Sequence, residues 1–373
     1  MTTKKLPRVL FLVPHLSGGG AGRVTLLLAR KLPADRYEVH LGAITESRTS
    51  QASAVPFTVH THVLGAKRVR RSALRLLRLV WQIRPDVITS NMAHLNFLVL
   101  LLRPLFPKGT RVIVRQNGTV SAMLREDRIR WRTRWLYCAL YGRAERVICQ
   151  TQAMAEDLAE VVPGIAGKTA VLANPVDINE VRDKVRCSET QWTGMGPHVL
   201  AVGRLSHEKG FDLLLQAMAD VKREFPLADV AIAGAGPQKD SLERLCRSLD
   251  LNGQVRFLGA VPAPAEHFRG ATVFVVPSRH EGMPNAMLEA AAAGLPIVAT
   301  PAAGGMVELL RGREGVWLAE DTTAEALAKA LKHALLELKQ EQRFPHPWIE
   351  EFRMERVAAA YEQLLHEALG AAQ

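Results

Sequence analysis

The chain has few cysteines and no membrane-length apolar run, and each absence excludes a class of protein. Its 373 residues include four cysteines, none in a CxxC or His-paired spacing typical of a metal site. A disulfide framework is therefore not expected, and a reduced cytosolic compartment fits best. The nearest approach to a membrane span, LNFLVLLL at 95–102, ends at Arg103 and Pro104, short of the roughly 18 apolar residues required.

The chain also lacks a signal-peptide pattern, low-complexity segments and short repeats of the solenoid kind. Its first apolar run lies between Pro7 and Pro14 and predicts a buried strand. We therefore expect a cytoplasmic globular protein.

Charge is distributed unevenly along the sequence. The whole chain carries a net +11. Residues 1–180 contain 27 Lys and Arg against 12 Asp and Glu, a net of +15, which leaves a net of −4 for the rest. A strongly basic half indicates an anionic partner, such as a membrane surface, a nucleic acid or a phosphorylated ligand.

Short apolar runs alternate with helical patterns throughout, which favours an α/β protein with parallel sheets. The length suits two domains. We predict a first Rossmann-like domain at 1–174, a polar linker at 175–197 and a second such domain at 198–347. A C-terminal helix within 348–373 should pack back on the first domain. Doubly wound sheets bind ligands at the carboxyl ends of their strands, and two facing domains would form an interdomain cleft.

The segment SRHEGMPNAMLEAAAAGLPIVAT, 278–300, carries two glutamates eight positions apart. Glu281 follows a predicted strand, where ligands bind, and Glu289 lies in the second turn of the helix that begins near Asn285. Pro284 suits the first position of that helix, and the free amides of a helix N-terminus can hold a phosphate. Taken alone, the segment is as compatible with a helix that has surface glutamates.

Two further segments contain residues suited to phosphate binding. In VGRLSHEKG, a strand leads to Arg204 and then Lys209, which could clamp two phosphates or be solvated cations beside a turn. Gly234 and Gly236 permit a close approach of ligand or backbone, but a lone GxG is weak evidence. The glycines at 18–22 do not form a dinucleotide fingerprint and predict a flexible loop at the mouth of the cleft.

Together, GRLSHEKGFDLLLQA, AGAGPQKDSLERL, VRFLGAV and PSRHEGMPNAMLEAAAAGLPIVAT resemble family-4 glycosyltransferases of the GT-B fold. The resemblance is dense over 198–311 and fainter over 8–30 and 86–117. It implies a retaining transferase whose second domain binds a nucleotide-sugar donor. In that case Glu281 contacts the donor's sugar hydroxyls, Glu289 holds the ribose, and the diphosphate lies between Arg204 and Lys209.

The resemblance also implies contacts to the sugar and phosphate from the loop residues Gly282, Met283, Pro284 and Asn285. The acceptor should bind the first domain, where His94 is the candidate for contact with the reacting sugar and a catalytic residue together with Glu281. A histidine that caps or packs a helix is an equal alternative for His94. Further acceptor-side candidates are Gly19, Gly20, Asn91, Asn96, Arg115 and Asn117.

We expect neither a cofactor nor a metal, only the nucleotide-sugar co-substrate. The chain has no DxD pair, and two cations with a helix N-terminus can stabilise a departing diphosphate. No obvious nucleophile is present, and enzymes of this kind are thought to use front-face attack.

Two basic stretches, 67–84 and 125–143, mix arginines with tryptophan and leucine at helical spacing. Such a composition suits a helix on an anionic membrane, and also an ordinary helix with an apolar core stripe. The charge of the first half favours peripheral binding at the inner face of the cell membrane.

The prediction is a cytoplasmic, peripherally bound glycosyltransferase. It would transfer a hexose or N-acetylhexosamine from a nucleotide diphosphate sugar, with a UDP-sugar favoured, to a glycan. We expect this acceptor to be lipid-linked, as in lipopolysaccharide, O-antigen, capsule or a polyprenyl-diphosphate oligosaccharide. The alternatives are a nucleotide-sugar epimerase or hydrolase of the same architecture, and a nucleic-acid-binding protein that uses the basic half. The second leaves the Glu281 and Glu289 segment without a role, and we expect no nucleic-acid partner.

Overall fold

The computed structural model describes residues 5–15, 20–45, 58–126, 129–302, 305–339 and 342–370. The chain divides into two compact units. The first unit comprises Met1–Pro175 together with Glu355–Gln373, and the second unit comprises Val176–Met354.

The described residues of the first unit form a parallel sheet with the strand order β3-β2-β1-β4-β5-β6-β7. Its strands are β1 (Arg8–His15), β2 (Glu38–Thr45), β3 (Val59–Val63), β4 (Val87–Asn91), β5 (Arg111–Arg115), β6 (Arg146–Cys149) and β7 (Thr169–Val171). Its helices are α1 (Gly20–Lys31), α2 (Ala73–Ile83), α3 (Ala93–Leu102), α4 (Val120–Glu126), α5 (Arg130–Leu140), α6 (Gln152–Val161) and, later in the chain, α13 (Met354–Leu369).

Helices cover both faces of this sheet, which explains why its central strands are continuous apolar runs without alternation. On one face, α2, α3, α5 and α6 pack on side chains such as Leu10, Ile88 and Val114. On the other face, α1 and α13 pack on side chains such as Phe11 and Ile113. The last helix of the chain is thus part of the core of the first unit.

The described residues of the second unit form a parallel sheet with the order β10-β9-β8-β11-β12-β13. Its strands are β8 (His198–Val202), β9 (Asp229–Ala233), β10 (Val255–Gly259), β11 (Val273–Val276), β12 (Ile297–Ala299) and β13 (Val316–Leu318). Its helices are α7 (Ile178–Cys187), α8 (Phe211–Glu224), α9 (Lys239–Ser248), α10 (Asn285–Ala292), α11 (Met306–Leu310) and α12 (Ala324–Glu337).

The predicted fold class, α/β with two doubly wound Rossmann-like domains, is confirmed for each unit by itself. The domain limits stay a prediction, and the structure adds a helix, α7, inside the segment that the sequence indicates as a linker. The Asp177 side chain caps this helix by accepting a hydrogen bond of 2.9 Å from the backbone N–H of Glu180. An acidic N-cap residue is a recognised signal for the start of a helix. The polar composition of 175–197 outweighed this signal and so favoured a linker. Among the described residues, no helix is long and apolar enough to cross a membrane.

Candidate functional site

The strand order of the second sheet reverses between β8 and β11, and the predicted donor segments follow these two strands. Gly203 and Arg204 come directly after β8, and Pro277 and Ser278 come directly after β11. The carboxyl ends of neighbouring strands at such a reversal are where open α/β sheets bind ligands. The sequence therefore brings cationic and acidic residues to the expected ligand edge of this sheet.

At this edge, Lys209 and Glu281 form an ion pair. The Lys209 Nζ contacts Glu281 Oε1, and the same carboxylate oxygen accepts a 3.1 Å hydrogen bond from Ser278 Oγ. The Glu281 side chain is only 11% exposed. Thr300 holds the loop that follows β11, since its Oγ1 donates a hydrogen bond of 2.6 Å to the Ser278 carbonyl. Two groups that lie 72 positions apart in the sequence are thus held in contact.

Gly210 explains why Lys209 can come so close to this loop. Gly210 has a φ of +63°, in the left-handed region that favours glycine. A Cβ at this position would collide with the carbonyl oxygen of Pro277. The 3₁₀ turn His207–Lys209 therefore depends on glycine for its approach to the end of β11.

Gly234 and Gly236 have a packing role in the structure. A Cβ on Gly234 would collide with the carbonyl oxygen of Gly203, and a Cβ on Gly236 would collide with that of Leu205. The sequence left open whether ligand or backbone approaches these glycines. The backbone after β8 does so, which holds the segment that carries Arg204.

Sequence reasoning missed Arg279, which joins the two parts of the site. Its guanidinium makes a bidentate pair with Asp212 at 2.7 and 2.6 Å, and it also donates to the carbonyl of His207 over 2.9 Å. Burial alone would raise the pKa of Asp212, but the hydrogen bond and charge of Arg279 lower this pKa overall. The position of Arg279 next to Ser278 could have indicated a role in the site. Nothing in the sequence, however, indicated that Asp212 is its partner.

Helix α10 begins at Asn285, as the sequence predicts, but Pro284 is its N-cap residue, with an extended backbone, and does not occupy the predicted first helical position. Gly282 and Met283 are buried just before it. Glu289 lies one turn further along and is 6% exposed, so its carboxylate is no surface charge. Arg204 is exposed at the end of β8. The structure thus excludes the interpretation in which Glu289 is a surface glutamate.

In the first unit, Asn91 ends β4, Asn96 lies in α3, and both side chains are buried. Asn91 Nδ2 donates to the Ala21 carbonyl over 2.9 Å and contacts Thr25 Oγ1, which attaches β4 to α1. Asn96 accepts a hydrogen bond of 2.7 Å from Ser90 Oγ. Its Nδ2 donates to the carbonyl of Arg115 over 3.0 Å and to Tyr141 over 3.3 Å. Asn96 is therefore part of an internal hydrogen-bond network.

Arg115, the last residue of β5, is also internal and only 3% exposed. Its Nη2 donates to the carbonyls of Leu172 and Ala173, at 3.0 and 3.1 Å, and to Asn174 Oδ1 at 2.8 Å. Burial lowers the pKa of Arg115 to about 10, which leaves the guanidinium charged at neutral pH. Arg115 thus connects β5 to the segment after β7.

Asn117 differs from these residues. Its Oδ1 and Nδ2 are both buried, and neither has a hydrogen-bond partner among the described residues. Buried amide atoms of this kind are rare in folded proteins and call for a specific explanation. Asn117 thus has a donor and an acceptor that the fold does not use.

His94 lies in the first turn of α3, and its side chain is exposed. Partial desolvation by the surrounding protein lowers the pKa of His94, and the charge of nearby His15 lowers this pKa further. The ring is therefore neutral at pH 7 and can accept a proton. The preceding Met92 has a φ of +71°, an unusual value that clusters at functional sites. Gly20 begins α1, and Gly19 lies outside the described residues.

The structure therefore brings together Lys209, Glu281 and Ser278 in the second unit, and Asn96 with Arg115 in the first. It shows no such contact between His94 and the other acceptor-side candidates among the described residues. The roles assigned to all of these residues stay predictions. Sequence reasoning missed Gln116, whose Oε1 accepts a 2.8 Å hydrogen bond from the buried Tyr141, because glutamine in a strand-end loop carries no signal of its own.

Curated relatives along the chain are glycosyltransferases. A Haemophilus influenzae protein described as an uncharacterized glycosyltransferase is 32% identical, over 36% of this chain and 38% of its own length. LpsE of Rhizobium meliloti, a lipopolysaccharide core biosynthesis glycosyltransferase, is 25% identical over 89% of this chain and 95% of its own. A third relative, from Campylobacter jejuni, is 25% identical over 86% and 88% of the two chains. It is named N-acetylgalactosamine-N,N'-diacetylbacillosaminyl-diphospho-undecaprenol 4-alpha-N-acetylgalactosaminyltransferase.

Structural similarity extends over nearly the whole chain. HepE of Anabaena, solved in complex with UDP and glucose, superposes with a TM-score of 0.74 at 19% identity, over 96% of this chain and 98% of that one. The family model "Glycosyltransferase Family 4" matches residues 18–180, and "Glycosyl transferases group 1" matches residues 188–346. The chain therefore belongs to the family-4 glycosyltransferases, which have the GT-B fold.

Proposed function

We propose that this glycosyltransferase is a retaining enzyme that transfers a hexose or N-acetylhexosamine from a UDP-sugar to a lipid-linked glycan. The observation that carries the proposal is the contact of Lys209 with Glu281 beside the N-terminus of α10. A cation, a carboxylate and a helix N-terminus then lie together at the ligand edge of the second sheet. A diphosphate attached to a sugar needs this combination of groups.

Each group has a distinct task in the proposed donor complex. Arg204 and Lys209 bind the diphosphate, and the backbone N–H groups of Gly282, Met283 and Asn285 add hydrogen bonds to its oxygens. Glu281 accepts hydrogen bonds from sugar hydroxyls, and Glu289 accepts them from the ribose. The Ser278 and Arg279 contacts keep the loop in place, so that little reorganisation is needed when charge develops on the leaving group.

The proposed reaction breaks the bond between the anomeric carbon and the diphosphate oxygen. The acceptor hydroxyl attacks that carbon from the same face, and its proton passes to an oxygen of the departing phosphate. The products are UDP and a glycoside with unchanged anomeric configuration. Lys209 and Arg204 stabilise the transition state most, since the diphosphate gains negative charge as the bond breaks.

The first unit supplies the acceptor side of the proposal. His94 is exposed with a neutral ring, and Asn117 carries amide atoms that the fold does not use. Both suit contacts with glycan hydroxyls, together with Gly19 and Gly20. Asn91, Asn96 and Arg115 act indirectly, by fixing the loops around them. A lipid-linked acceptor is supported by the names of the Rhizobium and Campylobacter relatives, and UDP by the ligand in the Anabaena structure.

The donor half of the proposal is tested by calorimetric titration with UDP, GDP and ADP. Wild-type protein should bind UDP, and Glu289→Ala should weaken this binding by about tenfold or more, since a hydrogen bond to a carboxylate contributes roughly 1.5–3 kcal/mol. The control is Glu325→Ala, an exposed glutamate on α12, which should bind like wild type. Absence of binding by every nucleotide contradicts the proposal.

The reaction type is tested with a panel of UDP-sugars and lipid-linked glycans. A retained anomeric configuration in the product, determined by NMR, supports the proposed mechanism, and inversion rules it out. Donor turnover without acceptor, with an altered or released sugar as product, identifies an epimerase or a hydrolase.

We place the reaction at the inner face of the cell membrane, with the protein bound peripherally. The basic first half and the lipid-linked acceptor support this location. Sedimentation of the protein with cell membranes, reversed by high salt, is the expected behaviour.

A further inference from the structure

Large apolar side chains are exposed mainly on the first unit. Among the described residues, it has nine such side chains and the second unit has three. Seven of the nine belong to, or directly adjoin, three helices: Leu74 (81% exposed) and Trp81 (51%) on α2, Leu101 (57%) and Leu105 (56%) on α3 and the turn after it, and Ile129 (50%), Trp131 (67%) and Trp135 (65%) at α5. A soluble protein rarely exposes so many large apolar groups close together.

Helix α5 shows the pattern most clearly. Trp131 and Trp135 are one helical turn apart and so lie on one face. The first half of the helix also presents Arg130, Arg132 and Arg134, and no acidic residue occurs between Arg130 and Leu140. The guanidinium of Arg132 lies 4.9 Å from the ring centroid of Trp131. This is an exposed amphipathic element with aromatic and cationic groups side by side.

Helix α2 repeats the combination. Leu74, Arg78 and Trp81 are exposed at a spacing of four and three residues, which places them on one face. The opposite face is buried in the core through residues such as Leu76 and Val80. The helix is therefore fixed to the sheet and directs its exposed apolar groups outward.

These exposed faces belong to one layer of the first unit. Helices α2, α3 and α5 all pack on the same face of the sheet, and α3 contacts both of the others. Their outward sides therefore face the same general direction, away from that side of the sheet. We call this surface the α2–α5 surface.

Charge along the α2–α5 region is predominantly positive. Between Ala73 and Leu140 the sequence has 12 Lys and Arg against three acidic residues, Asp86, Glu126 and Asp127. An ordinary solvated surface mixes both signs. Exposed acids occur on the adjoining α6, at Glu156 and Glu160, so the basic surface ends there.

We propose that the α2–α5 surface binds a bilayer that contains anionic lipids. Tryptophan rings sit at the headgroup level of a membrane, leucines reach the acyl boundary, and arginines pair with lipid phosphates. The proposal deepens the proposed function by naming the surface that meets the membrane. It rests on that function for the identity of the acceptor alone, since lipid binding is measured without sugar transfer.

A bilayer explains the observations better than a nucleic acid does. Arginines suit both partners, and tryptophans can stack on unpaired bases. Exposed leucines at 74, 101 and 105 have no counterpart in a charged phosphodiester backbone. Charge alone is compatible with both a bilayer and a nucleic acid, and the exposed leucines favour the bilayer.

The test is flotation of the full-length protein with vesicles of phosphatidylcholine, with or without phosphatidylglycerol. Wild-type protein should float with anionic vesicles at low salt and remain unbound with neutral ones. Trp131→Ser/Trp135→Ser and Arg132→Glu/Arg134→Glu should each weaken binding by about tenfold or more, because the first removes two interfacial aromatic rings and the second reverses two cations at an anionic surface. UDP affinity should stay unchanged in both variants.

Matched controls come from the second unit. Leu227→Ser/Leu336→Ser removes two apolar groups of similar exposure, and Arg244→Glu/Arg247→Glu reverses two exposed arginines of α9. Both should float like wild type. In wild-type protein, brominated lipids should quench the tryptophan fluorescence, and the Trp131→Ser/Trp135→Ser variant should lose most of this quenching.

Failure of wild-type protein to float with anionic vesicles at low salt overturns the proposal, as does equal flotation of the α5 variants. Retention of a fluorescent oligonucleotide in place of vesicles assigns the surface to nucleic acid instead. Loss of UDP binding with normal flotation would remove the proposed function and leave this inference in place.

Discussion

The two units have the same architecture, but their ligand edges are built differently. In the second unit, the predicted donor residues follow two adjacent strands, and two of them touch, Lys209 and Glu281. In the first unit, Arg115 ends β5 and Asn96 lies in α3, the helix that follows β4, but both are buried in hydrogen bonds to the fold itself. A polar residue at the end of a strand therefore indicates either a ligand contact or a loop support, and only its partners separate the two.

The largest effect should come from separating the Lys209–Glu281 pair. Lys209→Ala or Glu281→Gln should lower the transfer rate by about 100- to 1000-fold, because each removes a positioned group from the donor site. The melting temperature should also fall, since each change leaves one partner of a largely buried ion pair unpaired. Initial rates with saturating donor and circular-dichroism melts measure the two effects, with Glu325→Gln as the control. Rates within about twofold of wild type would remove both residues from the donor site.

An intermediate effect is expected from two asparagines of the first unit. Asn96→Ala should reduce the free energy of unfolding by about 2–4 kcal/mol, because Ser90, Tyr141 and the Arg115 carbonyl lose a buried partner. Asn117→Ala, a matched change in the same unit, should alter this free energy by less than about 1 kcal/mol while raising KM for the acceptor. Urea unfolding and acceptor titrations measure these effects. Equal destabilisation by both changes would contradict the distinction between Asn96 as a structural support and Asn117 as a ligand contact.

The smallest effect concerns pH and the sheet edge at β2 and β3. His40 Nδ1 lies 3.1 Å from His62 Nε2, and His40 Nε2 lies 3.0 Å from Glu38 Oε1. Burial lowers the pKa of His40, although Glu38 opposes this, and the neighbouring His62 and His60 lower it further. Burial also lowers the pKa of His62. The folded state thus binds these protons less readily than the unfolded state does.

Stability should therefore be fully present above the usual histidine pKa of about 6.5 and should decrease as pH falls below it. Thermal melts between pH 7.5 and 5.5 measure the decrease. His40→Gln should show a smaller decrease than wild type, whereas His333→Gln, an exposed histidine of α12, should not differ from wild type. Identical pH profiles for all three proteins would contradict this assignment.

The sequence predicted the architecture and the position of the donor loops because both depend on local signals. Apolar strands, the proline before α10 and the glutamates at positions 281 and 289 are all visible in short windows. The α7 helix was missed because its polar composition outweighed the cap at Asp177. The Arg279–Asp212 pair and the network of Asn96 join residues far apart in the chain, and no window of sequence contains both partners. Asn96 and Asn117 look alike in sequence, and only their tertiary contacts distinguish them.

Because α13 packs on the first unit, the two units have an expected order of co-translational folding. Tyr361 contacts Phe11 and hydrogen-bonds Thr89 over 2.7 Å, so the core of the first unit needs residues that are synthesised after the whole second unit. The second unit is one continuous stretch and can fold while synthesis continues. The first unit can therefore be completed only after the second unit has been synthesised, and until then the sheet face that α1 and α13 share lacks α13.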